Sequence, residues 1–161
     1  MRKTLQILMA ATLLIFLGSF TPGETAGRLD GKWLSVENKT GSFIITRWTF
    51  NSDTGELATK IRTTASLIDF FVVEVNATYR ATPGELMVKY DKGEPRVYMC
   101  DEMKEAIDLP ESEVAEFIAD ISDIMRQQMS GTPVWRIKTL TDSLLVVEGN
   151  GLSMTFKKEN N

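Results

Sequence analysis

The chain has 161 residues, with 18 basic against 22 acidic side chains, 43% hydrophobic residues, one cysteine and no histidine. Without histidine no Ser-His-Asp, Cys-His or histidine-metal arrangement can be built, and one cysteine cannot close an internal disulfide. The acidic balance disfavours nucleic acid and anionic membranes as partners.

Arg2 and Lys3 precede an apolar run from Leu5 to Leu17, followed by Gly18, Ser19, Thr21, Pro22 and Gly23. That is the layout of a secretory signal, and its apolar core is shorter than the ~20 residues a membrane-spanning helix needs. The expectation is a signal peptide over residues 1–26, cut somewhere between 19 and 26. The product, 27–161, is then an exported (periplasmic or extracellular), soluble single domain that does not span the membrane. Losing Arg2, Lys3 and Glu24 turns 18 basic against 22 acidic into 16 against 21, a net charge of −5.

From Gly31 the chain reads as strands. Gly31 one residue ahead of Lys32 and Trp33 marks a tight entry into a first strand, Lys32 to Glu37, and Asn38 to Gly41 supplies a turn. A second strand runs from Ser42 to Asn51. After the Ser52-Asp53-Thr54-Gly55 turn a third spans Glu56 to Thr64, with Leu57, Thr59, Ile61 and Thr63 on one face and Lys60 and Arg62 on the other. The fourth, Leu67 to Thr82, alternates most clearly. Phe71, Val73, Val75, Ala77 and Tyr79 form its core-facing set. Glu85 to Asp91 and Arg96 to Cys100 give a fifth and a sixth.

The rhythm then changes to a period of 3.6. Val114, Phe117, Ile118, Ile121, Ile124 and Met125 make one apolar stripe, opposed by Glu113, Glu116, Asp120 and Asp123. Asp108 with Glu111 suits a capping box, and Gly131 suits a C-terminal exit. The spacing predicts one helix from about Pro110 to Met129, an insert over about 108–130. Strands resume over Val134 to Lys138, Ser143 to Glu148 and Leu152 to Lys158, with Gly149-Asn150-Gly151 as a turn. The expected fold is mainly all-β: an antiparallel up-and-down barrel of about eight strands with one inserted α-helix packed on it.

The opening Gly31-Lys32-Trp33, with the meander after it, resembles the lipocalin-like (calycin) barrels of small bacterial exported proteins, whose hallmark is G-x-W at that place. Thr141-Asp142-Ser143 is similar to a T-D-x turn of the same family. The resemblance implies that Trp33 plugs the closed end and that Lys157 or Lys158 covers it. The chain departs from the classical pattern in placing its helix before the last three strands and in lacking disulfides.

These observations lead to a non-enzymatic binder of a small apolar or amphipathic ligand. Phe71, Val73, Val75 and Tyr79 are the expected cavity lining, and Phe117 and Ile121 the contribution of the helix as a lid. No catalytic residue, metal or cofactor is expected. The carboxylates around the helix match no calcium-loop spacing and read as a solvated face. The alternative is a solid-core barrel whose surface binds an envelope protein or a polysaccharide, including an inhibitor role, with Trp48 and Phe50 as its aromatics should they lie outside.

Overall fold

The computed structural model describes residues 22–39, 42–65, 68–108 and 110–160. The leader expected over 1–26 therefore lies outside the described residues as far as residue 21. The described chain opens with helix α1 (Pro22–Leu29), then strands β1 (Gly31–Lys39), β2 (Ser42–Asn51), β3 (Glu56–Ala65), β4 (Ile68–Ala81), β5 (Glu85–Lys89) and β6 (Arg96–Met99). Helices α2 (Asp101–Ile107) and α3 (Glu111–Gln128) come next, then β7 (Val134–Leu140), β8 (Leu144–Gly149) and β9 (Leu152–Lys158).

Every pairing is antiparallel, and the order β1-β2-β3-β4-β5-β7-β8-β9 returns to β1, closing an eight-stranded barrel. The ninth strand, β6, continues the line of β5. Both pair with the same edge of β4, β5 at Thr78–Ala81 and β6 at Phe71–Glu74. The segment 90–95 loops out between them. The seam from β1 to β9 is narrow, held by Trp33 opposite Lys158 and Leu34 opposite Lys157.

The period-two pattern maps directly onto inside and outside, because successive side chains of a strand point to opposite faces. Val73, Val75, Ala77 and Tyr79 are buried within the barrel and Phe71 is half-buried, as the alternation of β4 requires. Val72, of the opposite parity, is buried too, so the outer face of β4 is not wholly wet. On β2 the inner set is Thr46, Trp48 and Phe50. The two aromatics lie inside, which removes them as surface-patch candidates.

Helix formation differs from expectation in detail. The insert holds two helices, and Asp108 takes a left-handed conformation (φ 45°) as the C-cap of α2. The residue preceding α3 is Pro110, which contributes no side-chain cap, so the Asp108–Glu111 capping box does not form. A left-handed residue turns the chain sharply between the helices, and that geometry is incompatible with capping the next one. Gly131, at φ 113°, does provide the exit.

The closed end is filled by large buried side chains. Trp33, Leu29, Phe156, Leu86 and Leu145 are completely buried, and Trp48 stacks on Phe156 with ring centroids 4.4 Å apart. The Trp33 indole Nε1–H donates to the Leu29 carbonyl at 2.6 Å, tying α1 beneath the floor. Lys158 Nζ sits 5.1 Å from the Trp33 ring centroid and donates to the Arg28 carbonyl at 3.3 Å. Gly31 makes this possible. It has φ 106°, and a Cβ there would come within 3.3 Å of Lys158 Cε.

Candidate functional site

The barrel walls are unequal. Strands β2, β3 and β4 are 10 to 14 residues long, whereas β7, β8 and β9 have six or seven, so one side of the mouth stands lower. Helix α3 fills the difference. Its first half carries Val114, Phe117 and Ile118 onto Met99, Met103 and Phe70, forming a second apolar cluster at the β4–β6 edge. Phe117 meets Phe70 and Phe71 edge-on, at centroid distances of 5.6 and 6.1 Å. Ile121 is half-buried farther along the same helix, while Ile124 stays largely in water.

Its last turn does something else. Met125, Gln128 and, just beyond the helix, Met129 form one wall of a cavity of about 450 Å³ in the mouth. Trp48, Thr59, Ile61, Trp135 and Met154 line the barrel side. That volume is within the range of small-molecule sites, and apolar and aromatic groups dominate its lining, with no charged side chain among the described residues. Trp48 and Trp135 are shared with the packed core, so they stand between the filled floor and the open recess above it.

Two polar groups in this wall are unusual. Thr59 Oγ1 and Trp135 Nε1 are buried and have no hydrogen-bond partner among the described residues, and each residue is only 8% exposed. A buried polar group left unpaired costs about 1–3 kcal/mol, and such groups are rare in folded chains. Tyr79 Oη is a third, but Tyr79 belongs to the floor, packed on Phe50 at 4.9 Å. Burial, with a smaller contribution from Asp30, pushes its phenol up to about 12. Tyr90, which also lines the cavity, is shifted upward by burial as well.

The last turn of α3 is latched from outside. Arg126 donates to Glu94 at 2.6 Å and also pairs with Asp123. Glu94 lies in the same 90–95 segment as Tyr90, so one exposed ion pair joins the helix to a loop of the cavity. Farther down the outer wall, Lys60, Tyr98 and Arg96 gather around Glu74 and hold its carboxyl below the usual range, the Lys60 hydrogen bond contributing most.

The residues named from sequence fall into three places. Phe71 and Phe117 come together at the rim, with Ile121 farther along the helix; Val73 and Val75 are buried on the inner wall of β4; Tyr79 is in the floor. None of the six lines the 450 Å³ cavity. Gly31 and Trp33 are in the closed end, with Lys158 rather than Lys157 as the covering cation. Alternation puts Thr59 on the inner face of β3 without giving it a role, and Trp135 goes unmarked by the strand pattern. The available signal was Gly149, the last residue of β8: a Cβ there would approach Trp135 Cε3 to 3.0 Å, so its missing side chain seats that indole, while Asn150 and Gly151 take the left-handed positions of the turn.

Among the described residues no cluster of three or more His, Cys, Asp or Glu side chains is placed to hold a metal, and no helix is long and apolar enough to cross a membrane. No protein-family model matches the chain, and no curated protein matches it. The architecture, a closed eight-stranded antiparallel barrel, is compatible with the calycin-like fold.

Proposed function

We propose that this is an exported lipocalin-like protein that binds a small amphipathic molecule non-enzymatically in the mouth of its barrel. One observation carries the reading: an apolar cavity of ligand size whose wall keeps two buried polar groups without a partner in the described chain. A folded protein gains nothing from such groups by itself, whereas a ligand that satisfies them recovers their cost on binding. The floor supports the family resemblance, since Gly31, Trp33 and Lys158 stand in the arrangement it implies. The N-terminal leader composition supports export.

Titration with a neutral, environment-sensitive apolar dye tests this. Saturable binding at one site is expected, with a change in tryptophan emission because Trp48 and Trp135 face the cavity. Ile61→Trp fills the space and should weaken the dye by about tenfold or more, equivalent to at least ~1.4 kcal/mol. A chain folded by far-ultraviolet dichroism that shows no saturable binding overturns the proposal.

A further inference from the structure

The cavity wall also says which kind of polar group the ligand carries. Resting on the binding function just proposed, we infer that the ligand presents an uncharged hydrogen-bond acceptor, a ketone, ester or amide carbonyl, to Trp135 and Thr59, and that its apolar body points toward the methionine rim.

Donor chemistry selects the acceptor. An indole Nε1–H can only donate, and a threonine hydroxyl can donate or accept, so an oxygen with lone pairs to offer is the group that can serve either of them. A carboxylate has such oxygens, but it would enter a site with no cation. The charged neighbours Lys60 and Arg62 alternate with Thr59 and Ile61 along β3 and therefore point to the outer face, where Lys60 is engaged by Glu74 at 3.0 Å. An anion buried without a counter-charge is strongly disfavoured, whereas a neutral carbonyl loses little on leaving water once it is hydrogen-bonded. An ammonium could be accepted by hydroxyl and amide oxygens of the lining, among them Thr46, Thr59, Gln128 and Asn150, but it would oppose the indole N–H and leave that donor unmet.

Orientation comes from the rest of the lining. Met125, Met129, Leu152 and Met154 supply the apolar rim, so the tail of the ligand lies there. Neither orphaned atom is open to solvent. An acceptor reaches them only as wall side chains shift, and methionines, unbranched and with three rotatable bonds, are the side chains best able to give way. At about 30 Å³ per water-sized unit, the cavity holds a ligand of roughly ten to fifteen non-hydrogen atoms.

The test compares methyl heptyl ketone, octanoate and nonane, matched in size, by displacement of the neutral dye at neutral pH. The ketone should displace at about tenfold lower concentration than nonane or octanoate, one good hydrogen bond's worth of discrimination. Thr59→Val and Trp135→Phe should each shrink the ketone's advantage over nonane, read as the ratio of the two displacing concentrations within each variant, so that a change in the shape of the wall cancels. In the wild type, the indole N–H proton resonance of Trp135 should move downfield with the ketone and stay in place with nonane. Dye binding with octanoate equal to or better than the ketone, or with all three alike, overturns the neutral-acceptor inference and leaves the binding function standing. Absence of dye binding in the folded chain overturns both.

Discussion

The floor and the mouth of this barrel are built from the same strands and are filled differently, although the floor too leaves one buried polar atom, Tyr79 Oη, without a partner among the described residues. At the floor the large groups are held by specific partners: Trp33 donates to Leu29, Lys158 lies over the Trp33 ring, and Phe156 stacks on Trp48. At the mouth, a few residues higher on β3 and β7, polar atoms are left unpaired beside a cavity rimmed by methionines. The difference shows where stability is held and where it has been given up. Close packing of aromatic side chains contributes the first, and unmet hydrogen bonds in a soft wall mark the second.

Breaking the floor should have the largest effect. Trp33→Ala removes a completely buried indole and its hydrogen bond, and a loss of about 3–5 kcal/mol is expected in urea unfolding, with the dye affinity of the surviving folded fraction little changed. Such a loss leaves a domain of ordinary stability close to unfolded.

Titrating Tyr79 sharpens the same contrast at a smaller scale. Its folded-state pKa lies above the unfolded value near 10, so its contribution to stability is complete below pH 10. It is lost as pH rises toward about 12, because the unfolded chain ionises first. The loss is on the order of 2 kcal/mol, and Tyr79→Phe should remove that alkaline dependence without lowering stability at pH 7. An unaltered alkaline profile in the variant would show that the floor does not hold the phenol as its burial implies.

The smallest effect is expected at the latch. Arg126 and Glu94 are exposed, so Arg126→Ala should leave the unfolding midpoint where it is. Dye release should nonetheless accelerate severalfold, and added salt should accelerate the wild type toward the variant's rate. Identical release rates would mean that the last turn of α3 does not gate the cavity.

Much of the fold was legible because it is local. Alternation along Glu56–Ala65 and Ile68–Ala81 fixes which side chains enter the barrel, and the Gly-rich turns fix where strands reverse. The cation over Trp33 is implied by the resemblance of Gly31-Lys32-Trp33 to the lipocalin-like opening, which leaves Lys157 and Lys158 both open; the room that Lys158 takes is made by the left-handed, side-chain-free Gly31. The cavity was not legible, because it depends on which inward residues face one another across the interior. Val73 and Val75 have the right parity, yet they are buried on the inner wall of β4, while Thr59 and Trp135 line the cavity from strands far apart in the order. Helix α2 is not visible in the pattern because its seven residues carry little periodicity; Met103 is its buried anchor among the described side chains.

Helix α1 gives the first described residues a duty that outlasts any role as an address. Thr25 is 2% exposed, Leu29 is fully buried, and Lys158 from the last strand hooks onto the carbonyl of Arg28. Start and finish of the folded chain are thus buttoned together under Trp33. A peptidase cutting after Ala26 would remove Thr25 from its seat but keep the carbonyls of Arg28 and Leu29, and with them the hydrogen bonds from Lys158 and Trp33. A cut ahead of Pro22 would keep Thr25 as well, so the site of trimming decides how much of the helix stays as a wedge beneath the floor.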